Sequence, residues 1–182
     1  YSENEMCVPI DSLVVAPNQN DMVHRCLVGK GYHTTEVAAS ISPSMDIQIS
    51  ANFERALFYA YALDAKEIAK LMDQLKQNGG FDITNAALSA LSQHYSSGMA
   101  TEVETSSTIG RSLSRSAQLL CPHTAIGVKV ADDFRDHAVP MITLATAHPA
   151  KFPAAVKNAA EVNPSLQDRM SDLFDSSERI SN

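Results

Sequence analysis

One run of residues constrains this chain more than any other, because it calls for a sheet that the rest of the sequence hardly supplies. Residues 141–145, Met-Ile-Thr-Leu-Ala, follow Pro140 as an apolar, strand-forming stretch and stop at Thr146, His148, Pro149 and Lys151. Such a run reads as a buried strand, and buried strands of this kind are found in sheets covered by helices. Open α/β sheets hold their ligands beyond the carboxyl ends of strands, so the polar end of this run is either a ligand site or a plain turn. Elsewhere, residues 12–16 form a second clear strand, and 46–49 a weaker one. Two or three short strands do not make a stable, covered parallel sheet. Partner strands are therefore expected outside this stretch, which opens at Tyr1 without a Met and reads as a fragment.

Most of the remainder has helical periodicity. Residues 1–8 read as the last turns of a helix ended by Pro9. The strand at 12–16, a turn at 17–20 and a short helix at 22–27, capped by Asn20 or Asp21, make half of a βαβ unit. Residues 34–44 form a loop rich in Ser and Thr, either a binding loop or a plain capping loop. Asn52 opens a helix from Phe53 to about Tyr61.

Asp64 caps a helix over 65–77 whose apolar stripe is Ile68, Leu71, Met72 and Leu75, and Gly79 and Gly80 stop it. Thr84 caps the next, through Leu91 to Tyr95, and Thr101 with Glu104 forms a capping box for a third running toward Leu119. Residues 121–124 read as a breaker before a helix at 125–134. A helix over 153–160 follows the opening strand, and a weak amphipathic tail carries Leu166, Met170, Leu173 and Phe174. The pattern is a helical block, about 64–120, between two sheet-forming ends. It offers caps and stripes without a convergent polar cluster, and suits a mobile cover.

Several functions are poorly supported. The net charge is −7, and Lys and Arg are scattered, so there is no basic footprint for nucleic acid. No window has the ~18 consecutive apolar residues of a membrane span. Three cysteines, Cys7, Cys26 and Cys121, are far apart and suit reduced thiols in a cytoplasm, packed as small hydrophobes. Cys121, His123, His137 and His148 have the right side chains for zinc, but their spacing fits no metal motif, so no metal is expected. No G-x-S-x-G elbow aims a serine nucleophile, and none of the seven glycines opens a helix directly after a strand as a phosphate loop does.

Three stretches in order point further: Ser42-Pro43-Ser44-Met45-Asp46-Ile47-Gln48 with Asn52-Phe53-Glu54-Arg55, Pro122-His123-Thr124-Ala125-Ile126-Gly127, and Ala145-Thr146-Ala147-His148-Pro149-Ala150-Lys151-Phe152. Together they resemble the carboxyl-terminal part of threonine synthase, in the longer form found in many bacteria and fungi. Residues 9–16, with Asn18, Asn20 and Asp21, resemble that family's strand just after its phosphate loop. The resemblance runs to about Lys157.

It implies an α/β enzyme of the tryptophan-synthase-like fold (fold type II). Such an enzyme uses pyridoxal 5'-phosphate (PLP) to convert O-phospho-L-homoserine and water into L-threonine and phosphate in the cytoplasm. On this resemblance residues 1–50 are part of the PLP-binding domain, 51–120 a mainly helical insertion, and 121–182 the return to that domain with carboxyl-terminal helices. Thr146 matches the hydroxyl residue that hydrogen-bonds the cofactor's pyridine nitrogen. His148 and Lys151 are candidates for holding phosphate or an anionic substrate, with a structural role for either equally open, and Ser44 and Asn52 are further substrate-binding candidates.

The family's Phe-Lys-Asp motif, with the lysine that carries the cofactor, and its Gly-Asn-Phe-Gly phosphate loop both precede the matched region. The stretch is expected to be inactive without them. The alternative is a truncated or degenerate paralogue that survives as a non-catalytic interaction module.

Overall fold

The computed structural model describes residues 9–173 and 175–177. The helix end expected over residues 1–8, including Cys7, and Phe174 of the tail lie outside them. The described residues are α/β, rich in helices, with two small sheets.

The first sheet forms where β-branched residues find a partner far along the chain. β1 (Leu13–Val15) pairs in parallel with β4 (Tyr95–Ser97), Leu13 opposite Tyr95 and Val15 opposite Ser97. The pairing continues past both strands, with Gly98 N–H donating to the carbonyl of Val15 (3.1 Å) and Ala100 N–H to that of Pro17 (3.2 Å). The helix expected to reach Tyr95 therefore stops at Ser92, because the ladder with β1 takes the backbone groups that another helical turn would use.

The second sheet was not anticipated. β2 (Gly31–His33) and β3 (Gly80–Asp82) pair antiparallel, each directly after a helix: α1 (Met22–Gly29) ends on a left-handed Lys30, and α3 (Ala65–Asn78) on a left-handed Gly79. A Cβ on Gly80 would lie 2.8 Å from His33 Cα, so only glycine allows this approach.

These strands position the main core. Tyr32 of β2 is stacked between Phe53 and Phe81, with centroids 5.1 and 5.0 Å away, and its hydroxyl accepts from Ser50 N–H at 2.9 Å. Around them pack Leu57 of α2 (Ala51–Ala60), Ile68, Leu71 and Leu75 of α3, and Leu91 of α4 (Asn85–Ser92). Asp64 accepts from the N–H groups of Lys66 and Glu67, Thr84 accepts from that of Ala87, and Thr101 and Glu104 form the capping box, all as expected. Ser50, not Asn52, is the N-cap residue of α2, and Asn52 lies inside the helix.

A second packing group joins α5 (Glu102–Ser116), α6 (Pro122–Phe134) and α7 (Pro153–Ala160) through Ile109, Ile126, Val130 and Val156, all fully buried. Residues 121–124 are no breaker: they are the cap and first turn of α6. The stretch 64–120 is thus divided, with α3 and α4 on the main core, β4 in the first sheet and α5 against α6 and α7. It cannot move as one cover without breaking the β1–β4 ladder.

The two other expected strands are absent among the described residues. Residues 46–49 follow a 3-10 turn, Pro43–Met45, without pairing. Residues 141–146 make no ladder either, and Ile142 and Leu144 are 80% and 77% exposed. A strand is defined by its partner, and an apolar run with no neighbour to bond stays irregular however strong its propensity. Among the described residues no helix is long and apolar enough to cross a membrane.

Candidate functional site

The first turn of α6 is where separate parts of the chain meet. Its sequence sets up the turn locally: Cys121 is the N-cap, accepting from Thr124 N–H at 3.4 Å, and Pro122 stands at the first helical position, where a missing N–H costs nothing. His123 and Thr124 follow, and residues 121–126 are all buried. His123 reaches two other segments, and Thr124 reaches one of the same two.

His123 receives the loop that starts at Ser40. Ser44 N–H donates to His123 Nε2 at 3.2 Å. Behind Ser44 the loop is held by a dense polar network. The Nδ2 of Asn18, a 1% exposed side chain, lies 2.9 Å from Ser40 Oγ, 3.0 Å from Ser42 Oγ and 2.7 Å from Asp46 Oδ1. Asp46 also accepts from Asn20 Nδ2 (3.0 Å), Ser40 Oγ (2.6 Å) and Ser40 N–H (2.8 Å). A half-buried carboxylate satisfied by this many donors fixes the loop's shape.

Thr124 receives the segment at 143–152. Its Oγ1 accepts from Thr146 N–H at 3.3 Å and sits 3.1 Å from Cys121 Sγ. Thr143 Cγ2 lies 2.9 Å from where a Cβ of Gly127 would stand, so glycine at this place on α6 is what lets the segment approach. The segment then returns to His123: the Phe152 ring is 4.5 Å from the imidazole, and Lys151 Nζ is 5.9 Å from the Phe152 centroid.

The protonation state of His123 follows from these contacts. A backbone N–H pointing at Nε2 requires a lone pair there, so the neutral ring carries its proton on Nδ1. Burial pushes the imidazole pKa down, the Lys151 cation adds to that, and Asp46 opposes it. Nδ1 is buried without a partner among the described residues, an arrangement that costs about 1–3 kcal/mol.

Of the residues marked in the sequence, four come to this junction. Thr146 has its backbone held by Thr124 while its side chain is exposed. Ser44 is exposed beyond its N–H contact with His123. His148 caps the 3-10 turn Pro149–Lys151, its Nδ1 accepting from Ala150 N–H at 3.2 Å, and Lys151 is exposed at that turn's end.

Asn52 is not at the junction. It lines a cavity of about 190 Å³ with Arg55, His94 and Tyr95. Among the described residues no three or more His, Cys, Asp or Glu side chains are placed to hold a metal ion, and His137 is exposed away from Cys121 and His123, which are buried. Sequence reasoning gave Asn18 and Asp46 no role, and His123 none beyond a zinc ligand that its spacing ruled against. The available signal was a His-Thr pair straight after a helix-starting Pro.

Two exposed hydroxyls and an exposed cation suit an anionic, hydrogen-bonding ligand. Comparison with known proteins gives this arrangement a context. The family model "Threonine synthase, C-terminal" matches residues 124–182. The threonine synthase of Pseudomonas aeruginosa is 39% identical over 181 residues, covering 98% of this chain and 39% of that protein. The structure of the PLP-bound threonine synthase of Brucella melitensis superposes with a TM-score of 0.90 at 49% identity, covering 93% of this chain and 37% of that one. Yeast threonine synthase superposes with a TM-score of 0.88 at 32% identity, with 97% and 40% covered. The chain therefore spans about two-fifths of the length of these relatives.

Proposed function

The chain belongs to the threonine synthase family, aligned with its carboxyl-terminal part, and on that premise we propose that it supplies one wall of a PLP site converting O-phospho-L-homoserine and water to L-threonine and phosphate. One observation carries the reading. The motif blocks that resemble the family, far apart in sequence, converge on the first turn of α6 through Ser44, Thr146 and Phe152.

The residues present fit the cofactor. Thr146 is anchored through its backbone, while its hydroxyl is exposed and makes no hydrogen bond among the described residues. That leaves it able to pair with a pyridine nitrogen. When bound, PLP serves as an electron sink for carbanions formed on the substrate. A neutral hydroxyl at the ring nitrogen tunes that sink differently from a carboxylate, because it does not favour a protonated nitrogen.

The chain's other groups bind and orient. Lys151 supplies a positive charge, the Ser44 hydroxyl and His148 Nε2 supply hydrogen bonds, and together they suit the phosphate or carboxylate of the substrate. Asn52 is a further substrate contact, approached from α2. The lysine that carries the cofactor and the phosphate loop come from the upstream part of the family's chain, so this stretch by itself makes no threonine. The unpaired, buried thiols of Cys26 and Cys121 suit a reducing compartment, and the enzyme acts in the cytoplasm.

Thr146 tests the reading. In the complete enzyme Thr146→Val keeps the shape but leaves the ring nitrogen facing a methyl group, a loss of about 1–3 kcal/mol for an unsatisfied buried acceptor. Turnover and cofactor affinity, measured by kinetics and cofactor titration, are expected to fall together, and Thr146→Ser to keep much of both. Normal values for both in a folded Thr146→Val enzyme would defeat the assignment.

A further inference from the structure

We propose that His123 is a positioning residue for the reaction: its neutral imidazole, with the Nε2 lone pair toward Ser44 N–H, locks the 42–46 loop to the turn that also holds Thr146. The inference rests on the proposed threonine synthase activity and adds to it a residue to which neither the family motif reading nor the site chemistry gave a task.

Three observations carry it. First, His123 is the contact through which the two candidate ligand-binding segments meet: it accepts from Ser44 N–H on one side and packs against Phe152 at 4.5 Å on the other. Its chain neighbour Thr124 holds Thr146 N–H, so two successive residues on one helical turn fix the backbone beneath both exposed hydroxyls. Second, the Ser44 contact depends on one protonation state. A proton on Nε2 would set two donors against each other and break the tie. Third, the ring is 9% exposed with Nδ1 unpartnered, so an aromatic or aliphatic residue would fill this space without that penalty. What a histidine adds here is the acceptor at Nε2.

The network around Asn18 and Asp46 shapes the loop but does not join it to α6; among the described hydrogen bonds of residues 42–46, the one reaching α6 is that of Ser44. The charged groups acting on the ring are Lys151, from the segment carrying Thr146, and Asp46, from the loop itself. Both segments therefore bias the state of the residue that ties them.

The experiment compares wild type, His123→Gln and His123→Phe in the complete holoenzyme. Gln places an acceptor near the Nε2 position and does not titrate, whereas Phe keeps a ring against Phe152 and removes the acceptor. His123→Phe is expected to lose tenfold or more in kcat/KM and to show faster amide hydrogen exchange over residues 42–46, and His123→Gln to recover most of both. The ratio of wild-type to His123→Gln kcat/KM is expected to fall as pH drops through the folded imidazole's pKa, which lies below the ordinary value, since ionisation of the substrate cancels in that ratio.

Wild-type exchange and kinetics in His123→Phe would overturn the proposal. Should His123→Phe not fold, His123→Gln decides alone: a pH-independent ratio, or exchange at 42–46 as fast at pH 8 as in a denatured control, would overturn it equally. Threonine production by the wild-type holoenzyme tests the underlying activity separately, so failure of one is not mistaken for failure of the other.

Discussion

At the scale of single residues, His123 shows how a buried group links structure to pH. Its folded pKa lies below the ordinary 6.5, so the native state resists a proton that the unfolded chain accepts. The sign follows: the stabilisation from holding the ring neutral is fully present above about 6.5 and is lost as pH falls through the lower folded value. Urea unfolding of wild type and His123→Gln between pH 8 and 5 should show the stability difference shrinking in favour of the variant as pH falls, and a constant difference would refute it. Sequence reasoning placed Thr146, Ser44, His148 and Lys151 in motifs but gave His123 no role beyond a metal ligand considered and set aside. The importance of His123 lies in a contact with Ser44, 79 positions away, and no local pattern encodes that. The cysteines were easier: Cys26 and Cys121 are buried as small hydrophobes, and burial pushes the Cys26 thiol up to about 12.

At the scale of elements, the helices were legible because their boundaries are set by local chemistry. The caps at Asp64, Thr84 and Thr101 sit where hydroxyl and carboxylate residues precede apolar stripes, and α7 has the expected bounds. The capping box of α5 supports a quantitative expectation. Glu104 accepts from Thr101 N–H at 2.8 Å, and that bond holds its carboxyl below the usual carboxylate range. Thr101→Ala removes the side-chain acceptor for Glu104 N–H and should lower stability by about 1 kcal/mol in urea titration, with Thr101→Ser close to wild type. Strands were less legible. β2 and β3 are three residues each, carry two glycines and a His, and exist because helices α1 and α3 deliver them side by side. The all-helical reading of 64–120 is interrupted for a related reason: β4, inside it, is fastened to β1 by a ladder between residues 82 positions apart.

At the scale of the whole molecule, the stretch at 141–146 is the unfinished surface. It exposes Ile142 and Leu144 and pairs with no strand among the described residues, although its inner side rests on α6 through Thr143 and Thr146. Amides of 141–145 should exchange rapidly in this polypeptide by itself and slowly within a chain of the relatives' full length, where further strands can bond them. Equal exchange in the two would mean that the run is never part of a sheet. Sequence alone determined most of the helical elements, the caps at Asp64, Thr84 and Thr101, the α/β class, and the polar end of the 141–152 run, because periodicity, capping and turn chemistry act over a few residues. It determined the family as well, since four motif blocks keep their order and spacing. Only the tertiary structure decided which strands exist and which side chains meet at α6. Backbone ladders and buried hydrogen bonds need partners brought from 22 to 82 positions away, and their presence depends on how the helices pack rather than on any residue's own preference.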